Sequence, residues 1–138
     1  MKTRKTITLM LALLMALAAL PWQQAAAADP GTFNVNDIAA INNIIAVNGW
    51  GAPQAPADGS SVPGEWNGKV FWTDNATNKR VKKLKLYSAD LTGTLDVSGL
   101  TALEYLDCRS NQLTGTLDVS GLSALQELFC DNNQLTGL

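Results

Sequence analysis

Three pairs of chemically capable side chains recur at one spacing: Cys108 and Cys130, Asp96 and Asp118, and Asn111 and Asn133 each stand 22 residues apart. Two thiols can bridge, bind a metal or lie buried as small apolar groups. Equal positions on adjacent strands point the same way, which suits the roughly perpendicular disulfide dihedral poorly. Two buried free thiols are therefore expected, with a bridge as the competing reading and a two-Cys metal site as the weaker one. Asp96 and Asp118 could share a calcium ion, but a carboxylate two residues before Ser98 or Ser120 more simply caps a turn. The amides of Asn111 and Asn133 can satisfy backbone donors and acceptors where a strand turns, a structural role.

Other chemistry is excluded by composition. The chain has no His, which removes Ser-His and Cys-His nucleophilic sites, imidazole metal ligands and the usual near-neutral acid or base. It contains no GxSxG elbow, no GxxxxGK[ST] phosphate loop and no calcium-loop spacing. An enzyme is not expected, nor any cofactor or metal.

The elements that must position these groups follow in chain order. Lys2, Arg4 and Lys5 precede the apolar run Ile7 to Leu20, then Pro21 and the small residues Ala25 to Ala28. This is the pattern of a cleaved secretory signal over residues 1–28. The run is 14 residues long, short of the roughly 20 that a spanning helix needs, so no membrane span is expected after cleavage. Losing those three basic residues leaves seven against twelve acidic ones, a net charge of −5. That balance argues against nucleic acid and anionic membrane as partners.

Residues 29–80 read as an N-terminal cap. Ile38, Ile41, Ile44 and Ile45 recur at helical spacing, Asn36 or Asp37 can cap the start, and Asn48-Gly49 supplies a stop, predicting a helix over about 37–47. Alternating Pro and Gly make residues 50–64 a loop. Val70 and Trp72 alternate against Lys69, Phe71 and Thr73, predicting a short strand over about 69–73. Trp66 and Trp72 could stack on a ligand, but filling the seam beneath the helix is the favoured reading. Asn75-Ala76-Thr77 fits a glycosylation acceptor, which matters only in a host that glycosylates.

Residues 81–138 repeat. Leu91 to Gln112 is followed without a gap by a near-copy, Leu113 to Gln134, and a third copy begins at Leu135. A fixed period of this size marks stacked repeats. Val81, Leu84, Leu86 and Leu91 fall one period before Leu103, Leu106, Cys108 and Leu113. The lysine-rich stretch from Lys79 to Lys85 is therefore the strand of a first, degenerate repeat, its basic side chains occupying solvated alternate positions rather than a polyanion patch.

Leu103-x-x-Leu106-x-Cys108-x-x-Asn111-x-Leu113 and Leu125-x-x-Leu128-x-Cys130-x-x-Asn133-x-Leu135 resemble the leucine-rich repeat pattern. The intervening Leu-Thr-Gly-Thr-Leu-Asp-Val-Ser-Gly-Leu resembles the short repeats of internalin-like and other secreted bacterial leucine-rich repeat proteins. The order of helix, Trp66, Trp72 and Arg80-Val81 is similar to the N-terminal cap of plant-type extracellular leucine-rich repeats, without that cap's paired cysteines. The resemblance implies an α/β-type solenoid: a leucine-rich repeat arc with a parallel β-sheet on its concave face, a helical N-terminal cap and an incomplete C-terminal end. About two and a half coils are expected, truncated at Leu138.

Period-two alternation puts Lys83, Lys85 and Tyr87 on the outward half of the first strand, Tyr105, Asp107 and Arg109 on the second, and Glu127, Phe129 and Asp131 on the third. Mixed charge interleaved with aromatics suits protein recognition. The alternative is that these groups satisfy each other, Lys85 with Asp107 or Arg109 with Asp131. The expected function is a non-enzymatic, exported protein, secreted, periplasmic or on the cell surface, binding a protein or cell-surface ligand through this concave face. The competing expectation is the cap and opening coils of a longer or truncated product with no independent binding activity.

Overall fold

The computed structural model describes residues 31–138; the expected signal segment, residues 1–28, lies outside them. The helix α1 (Val35–Asn48) starts two residues before its expected beginning because Asn34, not Asn36 or Asp37, caps it. The Asn34 Oδ1 accepts from the backbone N–H of Asn36 at 3.0 Å and of Asp37 at 3.1 Å, satisfying donors that the first turn leaves free. Gly49 ends the helix in the left-handed region (φ 79), where a residue without a Cβ costs least. Ile38, Ile41 and Ile44 line one face and are fully buried. No helix of the described residues is long and apolar enough to cross a membrane.

A 3-10 turn (Gly64–Trp66) leads into strand β1 (Val70–Trp72), and β2 (Val81–Lys85), β3 (Thr92–Gly93), β4 (Tyr105–Asp107), β5 (Gln112–Thr116), β6 (Glu127–Phe129) and β7 (Gln134–Gly137) follow. Four strands form one sheet in the order β1-β2-β4-β6, and β3-β5-β7 form a second. The pairs β2-β4 and β4-β6 are parallel, with Leu84, Leu106 and Leu128 in one register row. Strand β1 runs antiparallel to β2, pairing Val70 with Leu84 and Phe71 with Lys83.

The expected solenoid is corrected by this architecture. The described residues build a small α/β domain with a single helix, one mixed four-stranded sheet and one parallel three-stranded sheet, not a leucine-rich repeat arc with an all-parallel concave sheet. Two physical reasons account for the difference. The short strand before the repeats is taken into the sheet in the opposite direction, which makes the sheet mixed. Three parallel strands at about 4.8 Å spacing also span only about 10 Å, too little for a curve to develop.

The core lies between α1 and the two sheets. Leu84, Leu86, Leu91, Val97, Leu100, Leu103, Leu106 and Cys108 are fully buried there with the helix isoleucines. Burial thins toward the last repeat, where Leu125, Leu128, Cys130 and Leu135 are only partly covered. Loop 50–64 is drawn onto the helix by Asn42, whose amide donates to the Ala55 carbonyl and whose carbonyl accepts from the Ala55 N–H. Trp66 is buried, donates from Nε1 to the Pro53 carbonyl at 2.9 Å and lies nearly parallel to Trp72, with centroids 6.5 Å apart. Trp50 and Phe33 extend this aromatic cluster.

Asp37 joins helix to sheet. It is fully buried, and its carboxylate accepts from Arg80 Nε at 3.0 Å, Arg80 Nη2 at 2.9 Å and the Val81 N–H at 2.7 Å. Arg80 Nη2 also donates to Thr101 Oγ1 at 2.9 Å. Helix, β2 and a turn of the following repeat thus share one charge-assisted network. At the other end of α1, the buried Asn48 side chain donates to the Thr92 and Thr94 carbonyls. Removing one member of a buried charged pair leaves the other uncompensated. Asp37→Ala is therefore expected to lower stability by about 3–5 kcal/mol, read as a shift in the urea unfolding midpoint. A change within about 0.5 kcal/mol, the usual range for neutral surface substitutions, would contradict this role.

Candidate ligand-binding face

Strands β2, β4 and β6 place the nine outward residues in rows. Lys83, Tyr105 and Glu127 form one register row, and Lys85, Asp107 and Phe129 the next. Tyr87, Arg109 and Asp131 continue past the strand ends, where Ser88 N–H donates to the Arg109 carbonyl and Ser110 N–H to the Asp131 carbonyl, both at 3.1 Å. Inward Leu84, Leu106 and Leu128 anchor the other side of these strands, so the alternation follows from the sheet's pleat.

The turns that follow are held by the two asparagines. Asn111 Oδ1 accepts from the Ala89 and Leu91 N–H groups, each at 3.0 Å, while its amide donates to the Leu86, Cys108 and Arg109 carbonyls. Asn133 repeats the pattern, accepting from Leu113 N–H and donating to the Cys108, Cys130 and Asp131 carbonyls. Each amide reaches back into the preceding repeat, so these side chains fix the spacing between strands. Ser88, Ser110 and Asn132 adopt positive φ at equal places in the three turns. Behind them, Asp96 accepts from the Ser98 N–H and hydroxyl, and Asp118 from those of Ser120. The Ser hydroxyl bonds hold both carboxyls below the usual range.

Both cysteines are free. Cys108 is buried, and loss of solvation with Cys130 beside it pushes its thiol up to about 12. Cys130 is half-buried, and its thiol is also raised, chiefly by burial. The thiolate is the reactive form of cysteine, so these environments disfavour nucleophilic chemistry. Among the described residues, no three His, Cys, Asp or Glu side chains gather as a metal site would require.

Aromatic and cationic groups alternate across the face. The Tyr105 and Phe129 rings lie 5.5 Å apart at 44°. Lys83 and Lys85 each stand 5.8 Å from the Tyr105 centroid, and Arg109 stands 4.9 Å from Phe129 and 5.8 Å from Tyr87. Lys83, Lys85, Tyr87, Glu127 and Asp131 are exposed, while Tyr105, Arg109 and Phe129 are partly buried.

Asp107 departs from the expected pattern. Only 5% exposed, it grips Arg109 on its own strand through Nε at 2.9 Å and Nη2 at 2.7 Å, and it accepts from the Arg109 N–H at 3.2 Å. It presents Arg109 rather than itself. The mutual satisfaction weighed from the sequence takes another route, since Arg109 is held by Asp107 and not Asp131, and Lys85 has no ion pair among the described residues. Phe71 was missed as part of this face. It is 37% exposed, pairs in register with Lys83 and has the Lys85 ammonium 5.1 Å from its centroid. Its alternation with Val70 and Trp72 was visible in the sequence, but β1's place beside β2 was not.

No protein-family model matches the chain, and no curated protein matches it in sequence.

The bidentate Arg109 bond holds the Asp107 carboxyl below its ordinary range. A carboxylate depressed in the folded state stabilises the fold above its unfolded value of about 3.9, and that contribution disappears as pH falls through the lower folded value. The stability gap between the wild-type protein and Asp107→Asn should therefore be full at pH 7 and close as pH falls below about 4. Urea unfolding measured from pH 7 to pH 2 checks this, and a gap constant across that range contradicts it.

Proposed function

We propose that this chain is an exported, non-enzymatic binding protein, related to secreted bacterial leucine-rich repeat proteins, that takes a protein or cell-surface ligand on the outward face of β1-β2-β4-β6. The observation carrying this reading is the Tyr105–Phe129 pair, two adjacent rings on an open sheet face with cations around them. Tyrosine and arginine are characteristic anchors of protein interfaces because they combine apolar area with directed polar groups. Here Asp107 holds Arg109 in place, so less side-chain freedom is lost when a ligand arrives.

Size limits the ligand. Four strands at about 4.8 Å spacing place the outer two about 14 Å apart, well below the breadth of a standard interface of about 800 Å² per partner. A peptide segment or a narrow epitope suits such a face better than a broad globular surface. The lack of histidine and the raised thiols support a binding role over a catalytic one.

Peptides selected for binding to the wild-type protein from a displayed library should bind Tyr105→Ala and Phe129→Ala about tenfold or more weakly, the loss expected at an interface hot spot. Unfolding curves of both variants control for fold. Unchanged affinity in both, with the fold intact, would refute the assignment.

A further inference from the structure

The described residues contain seven cationic side chains: Lys69, Lys79, Arg80, Lys82, Lys83, Lys85 and Arg109. Arg80 is held by Asp37, Lys82 stands 3.7 Å from Glu104, and Arg109 is held by Asp107. Lys69 and Lys79 also lack an ion pair but are partly buried, whereas Lys83 and Lys85 form an exposed pair on one strand. Both are exposed, both stand on the outward side of β2, and neither has a carboxylate within ion-pair distance among the described residues. Their ammonium groups lie against the same ring, each 5.8 Å from the Tyr105 centroid, and Lys85 also lies 5.1 Å from that of Phe71. Two like charges thus share one aromatic platform, and the carboxylate in register with Lys85, Asp107, is already bound by Arg109. Aromatic rings offset part of that repulsion but do not neutralise it.

The surroundings narrow what could supply the missing charge. With residues 1–28 removed the chain carries −5, so an acidic partner is repelled by most of the surface and attracted here. Glu127 and Asp131 are exposed across the same face, making it cationic at β2 and anionic at β6. Such a gradient gives an incoming segment one favoured direction. Two free cations facing two free acids suit a polyphosphate backbone or anionic lipid surface poorly, since those ligands draw their affinity from many cations at once.

We propose that Lys83, Lys85 and Tyr105 form a subsite for neighbouring carboxylates in an acidic segment of a protein partner, with the Tyr105 and Phe129 rings taking the aromatic or apolar side chain beside them. This rests on the reading of the outward face as the binding surface and adds the chemistry of the ligand. The acidic side chains set direction and encounter rate, while the rings supply the buried apolar area.

Three peptides with Glu-Glu-Phe, Gln-Gln-Phe and Lys-Lys-Phe cores separate these contributions when titrated into the isotopically labelled protein and followed by amide shifts. The Glu-Glu-Phe peptide should shift the Lys83, Lys85, Tyr105 and Phe129 signals and bind about tenfold more tightly than Gln-Gln-Phe. Its advantage should shrink as salt rises from 50 to 500 mM. The double variant Lys83→Glu, Lys85→Glu should lose this peptide and gain Lys-Lys-Phe, and Lys83→Gln, Lys85→Gln should favour neither. Both replaced side chains are exposed, and coincident unfolding curves verify the fold.

Equal binding of Glu-Glu-Phe and Gln-Gln-Phe, unaffected by the lysine variants but lost in Tyr105→Ala, would overturn the acidic subsite and leave the face as a binding surface. Shifts confined to other parts of the protein would overturn both readings. Tighter, lysine-dependent binding of heparin or of phosphatidylserine vesicles than of the peptide would overturn the protein segment in favour of a polyanion.

Discussion

The carboxylate of Asp37 is the contact on which the arrangement depends. It has no access to solvent, and it is shared by the Arg80 guanidinium and the N–H that begins β2. A buried ion pair is costly to desolvate, and its gain depends on geometry. Here three donors converge on one carboxylate from the two residues that introduce the sheet. Their effect is positional: β2 starts at Val81 with Leu84 turned toward the helix isoleucines and Lys83 and Lys85 turned away. The apolar core supplies most of the driving force, but apolar contact is non-directional and does not select a register by itself.

That register is then copied forward. Strands β4 and β6 each pair with their predecessor at equal places in the repeat, and Asn111 and Asn133 bind the carbonyl and N–H groups of the preceding turn. The outward face is the product of this copying. On it β2 carries exposed lysines, β4 an aromatic ring followed by a braced arginine, and β6 an aromatic ring with exposed acids. Inward positions are nearly invariant between the repeats, while the outward ones differ, as Tyr105-x-Asp107-x-Arg109 beside Glu127-x-Phe129-x-Asp131 shows. The constraint on the inside thus leaves the outside free to carry chemistry.

Local periodicity made much of this legible from the residues alone. The spacing of Ile38, Ile41 and Ile44 predicts the buried helix face, and the 22-residue offset predicts that Leu84, Leu106 and Leu128 stand in one row. Asn111, Asn133, Asp96 and Asp118 make the turn contacts that their chemistry suggests. What escaped was non-local. An aspartate near a helix start looks like a cap, and only the folded chain brings Arg80 to Asp37 across 43 residues. Alternation marked Asp107 as outward without revealing that Arg109 would cover it. The arc failed as an expectation for the same reason: a repeat pattern records how neighbours stack, whereas the mixed sheet comes from β1, a strand outside the repeat.

If the Asp37 network makes helix and sheet one body, their amides must open together. Native-state hydrogen exchange at Ile41 and Ile44 of α1 and at Leu84 and Leu106 of β2 and β4 measures this most directly. All four should share one opening free energy, and Arg80→Gln should lower it equally at every site. Exchange of the α1 amides through an opening that leaves Leu84 and Leu106 protected, at a free energy unchanged by Arg80→Gln, would show that the Asp37 network does not join helix and sheet.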